Sequence, residues 1–335
     1  MTIRLGLVGT GRIGRPHAET LAMLPGVSGV VVADADLARA KATAAELGVE
    51  LADDVDALLD SDIAGLVITT STGAHPELII KAVDRGILVF CEKPVAIDID
   101  GTLEVIRHLE NVTVPVQVGF QRRFDTGYRA ARAALRSGEL GWVHTLRATT
   151  FDQVPPAAEY IPTSGGLFRD CGIHDFDAIR WLTGSEVTEV YALGANRGAP
   201  FFGAAGDVDT AAAVLRLDDG VLATVSLGRY NGAGCDVRLE VLGSRANAVV
   251  GLDDRAPLRS VEPDYPASSI PAYSGFLDRF RPAFTEELST FVSVVTGAVE
   301  NPCGPAEVLA AFYIAEACEL SRRERRPVTV DEVRR

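Results

Sequence analysis

From residue 3 to about residue 120 the chain alternates short apolar, β-branched runs with amphipathic segments of helical period. "IRLGLV" precedes a helical pattern from about Ile13, "GVVVA" precedes "LARAKATAAEL", and "AGLVITT" precedes "PELIIKAVDRG". "ILVFCE" then leads into "GTLEVIRHLE", and "TVPVQVGF" closes the series. Runs of this kind suit strands buried on both faces, and their alternation with helices predicts right-handed βαβ crossovers around a parallel sheet. The expectation for residues 1–120 is a Rossmann-type, doubly wound α/β domain.

Past Phe120 the period changes. A helical "YRAARAALRSG" leads to the strand-like "WVHTLRATTFD" and then to an amphipathic stretch, "FRDCGIHDFDAIRW". Long strand patterns follow, "EVTEVYALGAN", "DVDTAAAVLRL", "VLATVSLGRY" and "CDVRLEVLG", with Asp219-Gly220 as a hairpin signal between the second and third. Strands linked in this way predict a largely antiparallel, open sheet. Residues 255–274, rich in Pro and Ser, read as a long loop, and helical patterns run over 275–296 and 305–323. Residues 121–335 are therefore expected to form an α+β domain for substrate binding and oligomerisation.

The length of 335 residues accommodates two such domains, and 47% hydrophobic against 23% charged residues fits a folded chain throughout. A net charge of -14 draws neither phosphate backbones nor anionic lipid, so nucleic acid and membrane surfaces are not expected partners. With neither a signal-peptide pattern nor a membrane-length apolar run, the expected location is the cytoplasm. The five cysteines are scattered without a Cys-x-x-Cys pair, which predicts buried thiols and no metal site.

"GLVGTGRIG" places Gly9, Gly11 and Gly14 in Gly-x-Gly-x-x-Gly order between a strand and a helix. The first glycine permits the turn, the second lets the backbone approach a pyrophosphate, and the third allows helix and strand to pack. Asp34 ends the next strand pattern 20 residues beyond Gly14, where a carboxylate accepts hydrogen bonds from a ribose. The plainer alternatives are a simple strand-to-helix turn, with Asp34 capping the helix after it. A carboxylate there repels a 2'-phosphate, so NAD is favoured over NADP, although Arg39 and Arg12 lie within reach of such a phosphate. Further cofactor contacts are expected from Arg12 and Ile13 in the turn and from Thr70 and Ser71 after a later strand. His75 is either a contact to ribose or nicotinamide or a helix-start residue.

In "FRDCGIHDFDAIRW", Asp170, His174 and Asp177 stand four and three residues apart and share one face of a helix. Histidine titrates near neutrality and suits a general base for an alcohol proton, with Asp170 fixing its tautomer. On spacing alone the alternative remains open that Asp170 is an N-cap, His174 a half-buried helix residue and Asp177 a partner of Arg180 or a solvated acid. Asp152, Gln153, Tyr160, Asp207, Asp209, Tyr230 and Asn231 are polar groups that could line a sugar pocket, each with an alternative as turn, cap or strand-surface residue.

Together with the glycine motif, "FCEKPVA", "VGFQRRFD" and "GGLFRDCGIHDFDAIRW" resemble the Gfo/Idh/MocA oxidoreductases over essentially the whole chain. That resemblance implies an NAD(P)-dependent enzyme oxidising a secondary ring hydroxyl of an inositol, related polyol or sugar, working as a homo-oligomer, dimer or tetramer. It implies catalytic roles for Lys93, Asp170 and His174, a cofactor edge at Glu92 and Lys93, and substrate contacts at Arg123 and Asp177; Asp152 and Tyr230 are taken as substrate contacts from the polar groups named above. Inositol dehydrogenases of the family carry Arg-Asn-Pro after the strand that here ends in "TTFDQVPP", a departure that leaves the polyol open. The alternatives are oxidation or reduction of a sugar at another carbon, as in glucoside 3-dehydrogenases and keto-sugar reductases, and a non-catalytic NAD(P)-sensing regulator.

Overall fold

The computed structural model describes residues 2–264 and 268–335. The chain up to Gln121 joins Pro282–Leu309 in one unit, and Arg122–Arg281 joins Ala310–Arg335 in a second. The expected domain of 121–335 is thus corrected, because 282–309 folds with the cofactor-type sheet. Residues 265–267 of the expected long loop lie outside the described residues.

In the first unit, β1 (Ile3–Val8), β2 (Val27–Ala33), β3 (Glu50–Leu51), β4 (Gly65–Ile68), β5 (Leu88–Glu92) and β6 (Val116–Gly119) form one sheet in the order β3-β2-β1-β4-β5-β6. Every pairing in it is parallel. The crossovers carry α1 (Gly14–Met23), α2 (Leu37–Leu47), α3 (Val55–Leu59), α4 (His75–Val83) and α5 (Ile99–Leu109). The strand order reverses between β1 and β4, which makes their carboxyl ends the place where such sheets take ligands. The short β3 and α3 escape periodicity analysis because two and five residues hold less than one repeat of a recognisable pattern.

A helix at Arg281–Val295 completes this core: Leu288, Phe291 and Val292 pack with Leu5, Leu7, Val32, Val67 and Phe90. Gly65 makes room for it, since a Cβ there would lie 2.9 Å from Val295 and 3.0 Å from Phe291. The helical pattern over 275–296 is divided at Phe280 (φ -107°, ψ 13°), which separates a short turn, Phe276–Arg279, from the longer helix. Pro282 suits the first turn of that second helix, where its missing N–H costs nothing.

The second unit contains α6 (Thr126–Arg136), β7 (Val143–Phe151), α7 (Ile173–Thr183), β8 (Val187–Ala195), α8 (Phe201–Ala204), β9 (Thr210–Leu217), β10 (Leu222–Gly228), β11 (Asp236–Gly243), β12 (Asn247–Val250) and β13 (Val328–Thr329). Its seven-stranded sheet runs β12-β11-β7-β10-β9-β8-β13. The β7–β10 pair is parallel and the other pairs are antiparallel. Along β9, Ala211, Ala213, Leu215 and Leu217 are buried, whereas Thr210, Ala212, Val214 and Arg216 face outward. This alternation is that of a sheet covered on one face only. α7 is buried nearly all round, with Asp175, Asp177 and Arg180 buried beside Ile173, Phe176, Ala178, Ile179 and Leu182. All five cysteines are buried free thiols.

Candidate active site

The glycine turn of the first unit is shaped for a ligand. Gly9 adopts φ +94°, and a Cβ on it would lie 2.8 Å from the Thr69 backbone. A Cβ on Gly14 would come within 1.7 Å of Gly9 O, so α1 packs against the turn only with glycine there. By contrast, a Cβ on Gly11 would meet nothing nearer than Arg39 Nη1 at 3.8 Å, which leaves its backbone open to a pyrophosphate. No side chain caps the start of α1, so that helix end is suited to an anion. Arg12 is exposed and Ile13 half-buried in the same turn.

Asp34 stands at the end of β2, where Thr10 donates to its Oδ2 from the backbone N (2.6 Å) and from Oγ1 (3.0 Å). The Asp36 backbone N donates to its Oδ1 at 2.8 Å. The cap of α2 is Asp36, which accepts from Arg39 N, so the alternative reading of Asp34 as that cap does not hold. Arg39 is engaged by Asp34 at 3.6 Å and Asp36 at 3.3 Å, which sets its charge against two carboxylates instead of a 2'-phosphate. The residues present fit NAD.

Thr70 is half-buried and Ser71 exposed after β4, at the same edge of the sheet. His75, 1% exposed, has Nδ1 2.7 Å from Pro94 O and Nε2 3.2 Å from Thr70 O. Burial pushes its pKa below the ordinary 6.5, so the ring is neutral at pH 7. A neutral imidazole has one N–H to donate, and Pro94 O, in the turn after β5, is the nearer of the two carbonyl oxygens. In that turn the Lys93–Pro94 peptide is cis. Glu92, expected at the cofactor, directs its carboxylate inward: Oε1 lies 2.8 Å from Nε2 of the buried His17 on α1.

In the second unit, Asp170 does not open an ordinary α-helix. It lies in a π-helical turn, Phe168–Gly172, that runs into α7. Such turns are rare and are frequent at functional sites. Neither of its carboxylate oxygens is left to solvent alone: Tyr160 donates to Oδ1 (3.0 Å) and Arg229 Nη2 to Oδ2 (2.7 Å). Tyr160, expected among the groups offering a ring to a sugar, thus spends its hydroxyl on Asp170, and burial followed by that carboxylate's charge raises its pKa. Arg229 also donates from Nη1 to Asp152 Oδ2 (3.1 Å) and to Cys171 Sγ (2.9 Å). His174 is half-buried, four residues along from Asp170.

Arg123 and Asp177 form a bidentate pair, Nε to Oδ2 at 2.9 Å and Nη2 to Oδ1 at 2.5 Å, and are 5% and 1% exposed. Asp177 thus pairs with Arg123, while Arg180 pairs with Glu186. Alongside, Arg122 donates to Asp175 and Thr150, and Thr150 to Asp175, in a second buried network. The Tyr230 hydroxyl accepts from Ala199 N at 3.0 Å, and its ring covers Gly198, where a Cβ would lie 2.3 Å away. Asp207 accepts from Leu167 N, and Asp209 accepts from the backbone N–H groups of Arg197 and Gly198, so both hold loops. Among the described residues no cluster of His, Cys, Asp and Glu could hold a metal ion.

Arg229 was not singled out by the sequence. It follows a strand in "SLGRYNG", and nothing in that pattern announces a cation with three partners.

An NAD-binding fold followed by a sheet domain carrying an ordered Asp and a His defines the class: a nicotinamide-dependent oxidoreductase. Residues 3–120 match the model of the oxidoreductase family with an NAD-binding Rossmann fold, and residues 128–249 match that of the Gfo/Idh/MocA C-terminal domain. The chain belongs to the Gfo/Idh/MocA oxidoreductase family. It is 34% identical to the myo-inositol 2-dehydrogenase of Thermotoga maritima, over 99% of each chain. It is 38% identical to a myo-inositol dehydrogenase of Streptomyces leeuwenhoekii, over 89% of this chain and 90% of that one. The crystal structure of scyllo-inositol dehydrogenase from Lactobacillus casei with bound NAD(H) and scyllo-inositol superposes with a TM-score of 0.90 at 29% identity, covering 99% of this chain and 100% of that one.

Proposed function

We propose that this oxidoreductase oxidises one secondary ring hydroxyl of an inositol or closely related cyclic polyol, with NAD as acceptor. The observation that carries the reading is the Asp170 carboxylate, fixed at both oxygens in a π-helical turn four residues ahead of a half-buried histidine. A binder without turnover has no use for such a group. Bound NAD supplies the hydride acceptor. His174 takes the proton of the reacting hydroxyl at a ring nitrogen, and Asp170 orients the imidazole and stabilises it once charged. Lys93 donates to the substrate oxygen and stabilises developing negative charge there. Asp152, held by Arg229, accepts from a neighbouring ring hydroxyl, Tyr230 offers its exposed ring to the polyol, and the Arg123–Asp177 pair supports the substrate side.

The homologues named for myo- and scyllo-inositol support this substrate class. Wild-type protein incubated with NAD and a panel of inositols, sugars and glucosides, followed at the NADH absorbance, should respond to an inositol. Turnover confined to a glucoside or a keto sugar would replace this substrate, and NAD binding without any turnover would replace the enzyme reading.

The outward face of the seven-stranded sheet, with Tyr191, Leu193, Val214, Leu222 and Val249 exposed, is our assignment for contact with a second copy of the chain. No helix among the described residues is long and apolar enough to cross a membrane. Five buried free thiols suit a reducing compartment, and the cytoplasm is the location we assign.

A further inference from the structure

Asp170 and Asp152 reach the same guanidinium from different elements, one from the π-helical turn before α7 and the other from just past β7. Arg229 lies just past β10, is 2% exposed, and has its own backbone N fixed to Asp209 O at 2.8 Å. Nη1 serves Asp152 and the Cys171 sulfur, and Nη2 serves Asp170. Burial works against the charge of Arg229, but Cys171, Asp170 and Asp152 around it hold its pKa above the ordinary value. A planar fork suits two carboxylates in fixed directions, which the single ammonium of lysine does not. Without that cation two carboxylates would face each other in a largely dry place, and at least one would turn away.

The geometry points to Arg229 as a positioning residue of the reaction: it acts through Asp170 by setting where that carboxylate stands. This rests on the catalytic role given to Asp170 under the proposed function. Tyr160 secures only the second oxygen of Asp170, with a neutral hydroxyl, and is the weaker of the two holds.

The test combines crystallography with a kinetic cycle. In Arg229→Met the Asp170 carboxylate should move by about 1 Å or more, and kcat on the inositol substrate should fall roughly 10–100-fold. Arg229→Lys should recover part of that loss, since it restores a charge but not the fork. In an Asp170→Asn background Arg229→Met should cost less than about 3-fold, because the group it acts on is already gone. An unmoved Asp170 in the variant crystal, or the same loss of kcat in the Asp170→Asn background, overturns the proposal. Should Arg229→Met fail to fold, Arg229→Lys decides: wild-type turnover in it is the overturning result, and a reduced kcat with a displaced carboxylate supports the assignment. If wild type oxidises no inositol, the substrate reading falls, while the displacement of Asp170 in the variant crystals still decides the positioning.

Discussion

Glu287 offers a measurable test of the first unit. Its side chain is fully buried, and neither carboxyl oxygen has a hydrogen-bond partner among the described residues. Burial, followed by the charge of Glu92, pushes its pKa well above the ordinary 4.5, which favours the neutral acid in the fold. Glu92 in turn faces His17, and Gln117 Nε2 donates to the Glu287 backbone oxygen at 3.3 Å. A carboxyl with a raised folded-state pKa contributes fully below pH 4.5 and loses that contribution as pH rises toward the folded value. Between the unfolded and folded pKa values the loss runs at up to about 1.36 kcal/mol per pH unit. Glu287→Gln removes this titration. Relative to wild type it should therefore gain stability as pH rises above 4.5, by up to about 1.36 kcal/mol per pH unit, read from urea unfolding of both proteins at pH 5, 6 and 7. Parallel stability curves for the two proteins would show that Glu287 is ionised in the fold and would refute the reasoning.

Other predictions concern function directly. His174→Ala should lower kcat by about 10²–10⁴-fold with NAD affinity by calorimetry little changed, and unchanged turnover would remove it as the base. Asp34→Ala should weaken NAD binding by about 10–100-fold, for hydrogen bonds to a charged group, while NADP use rises. A wild type that already prefers NADP would contradict the role given to that carboxylate. Val214→Asp on the outward sheet face should reduce the oligomer to smaller species in light scattering, and an unchanged mass would move the interface elsewhere.

The sequence made the first sheet readable because its strands are apolar runs separated by strong helical periods, each too long to mistake. The glycine turn and Asp34 were equally legible, since their spacing follows from the geometry of one βαβ unit. Less visible were features made by distant parts of the chain. The pairing of Arg123 with Asp177 joins residues 54 positions apart, and nothing local distinguishes Arg123 from a free cation awaiting a polyol. Arg229 and Asp170 are 59 positions apart for the same reason. The inward turn of Glu92 toward His17 was hidden too, because a strand-end carboxylate reads the same whether it faces a ligand or a helix. The assignment of 282–309 to the wrong domain arose because an amphipathic helix shows that it has a partner but not which sheet provides it.

That returning helix bears on how the protein is made. Leu288, Phe291 and Val292 complete the core around Leu5, Val67 and Phe90, yet they leave the ribosome long after β6 has been synthesised. Pro282 follows Gln121 by 161 residues, which at about 5–20 residues per second delays the helix by roughly 8–30 s. For that interval the nascent cofactor domain keeps an apolar sheet face uncovered. A chaperone holding the growing chain at that face would protect it, and ribosomes stalled just before codon 282 should carry a nascent chain that is far more sensitive to protease than the finished enzyme.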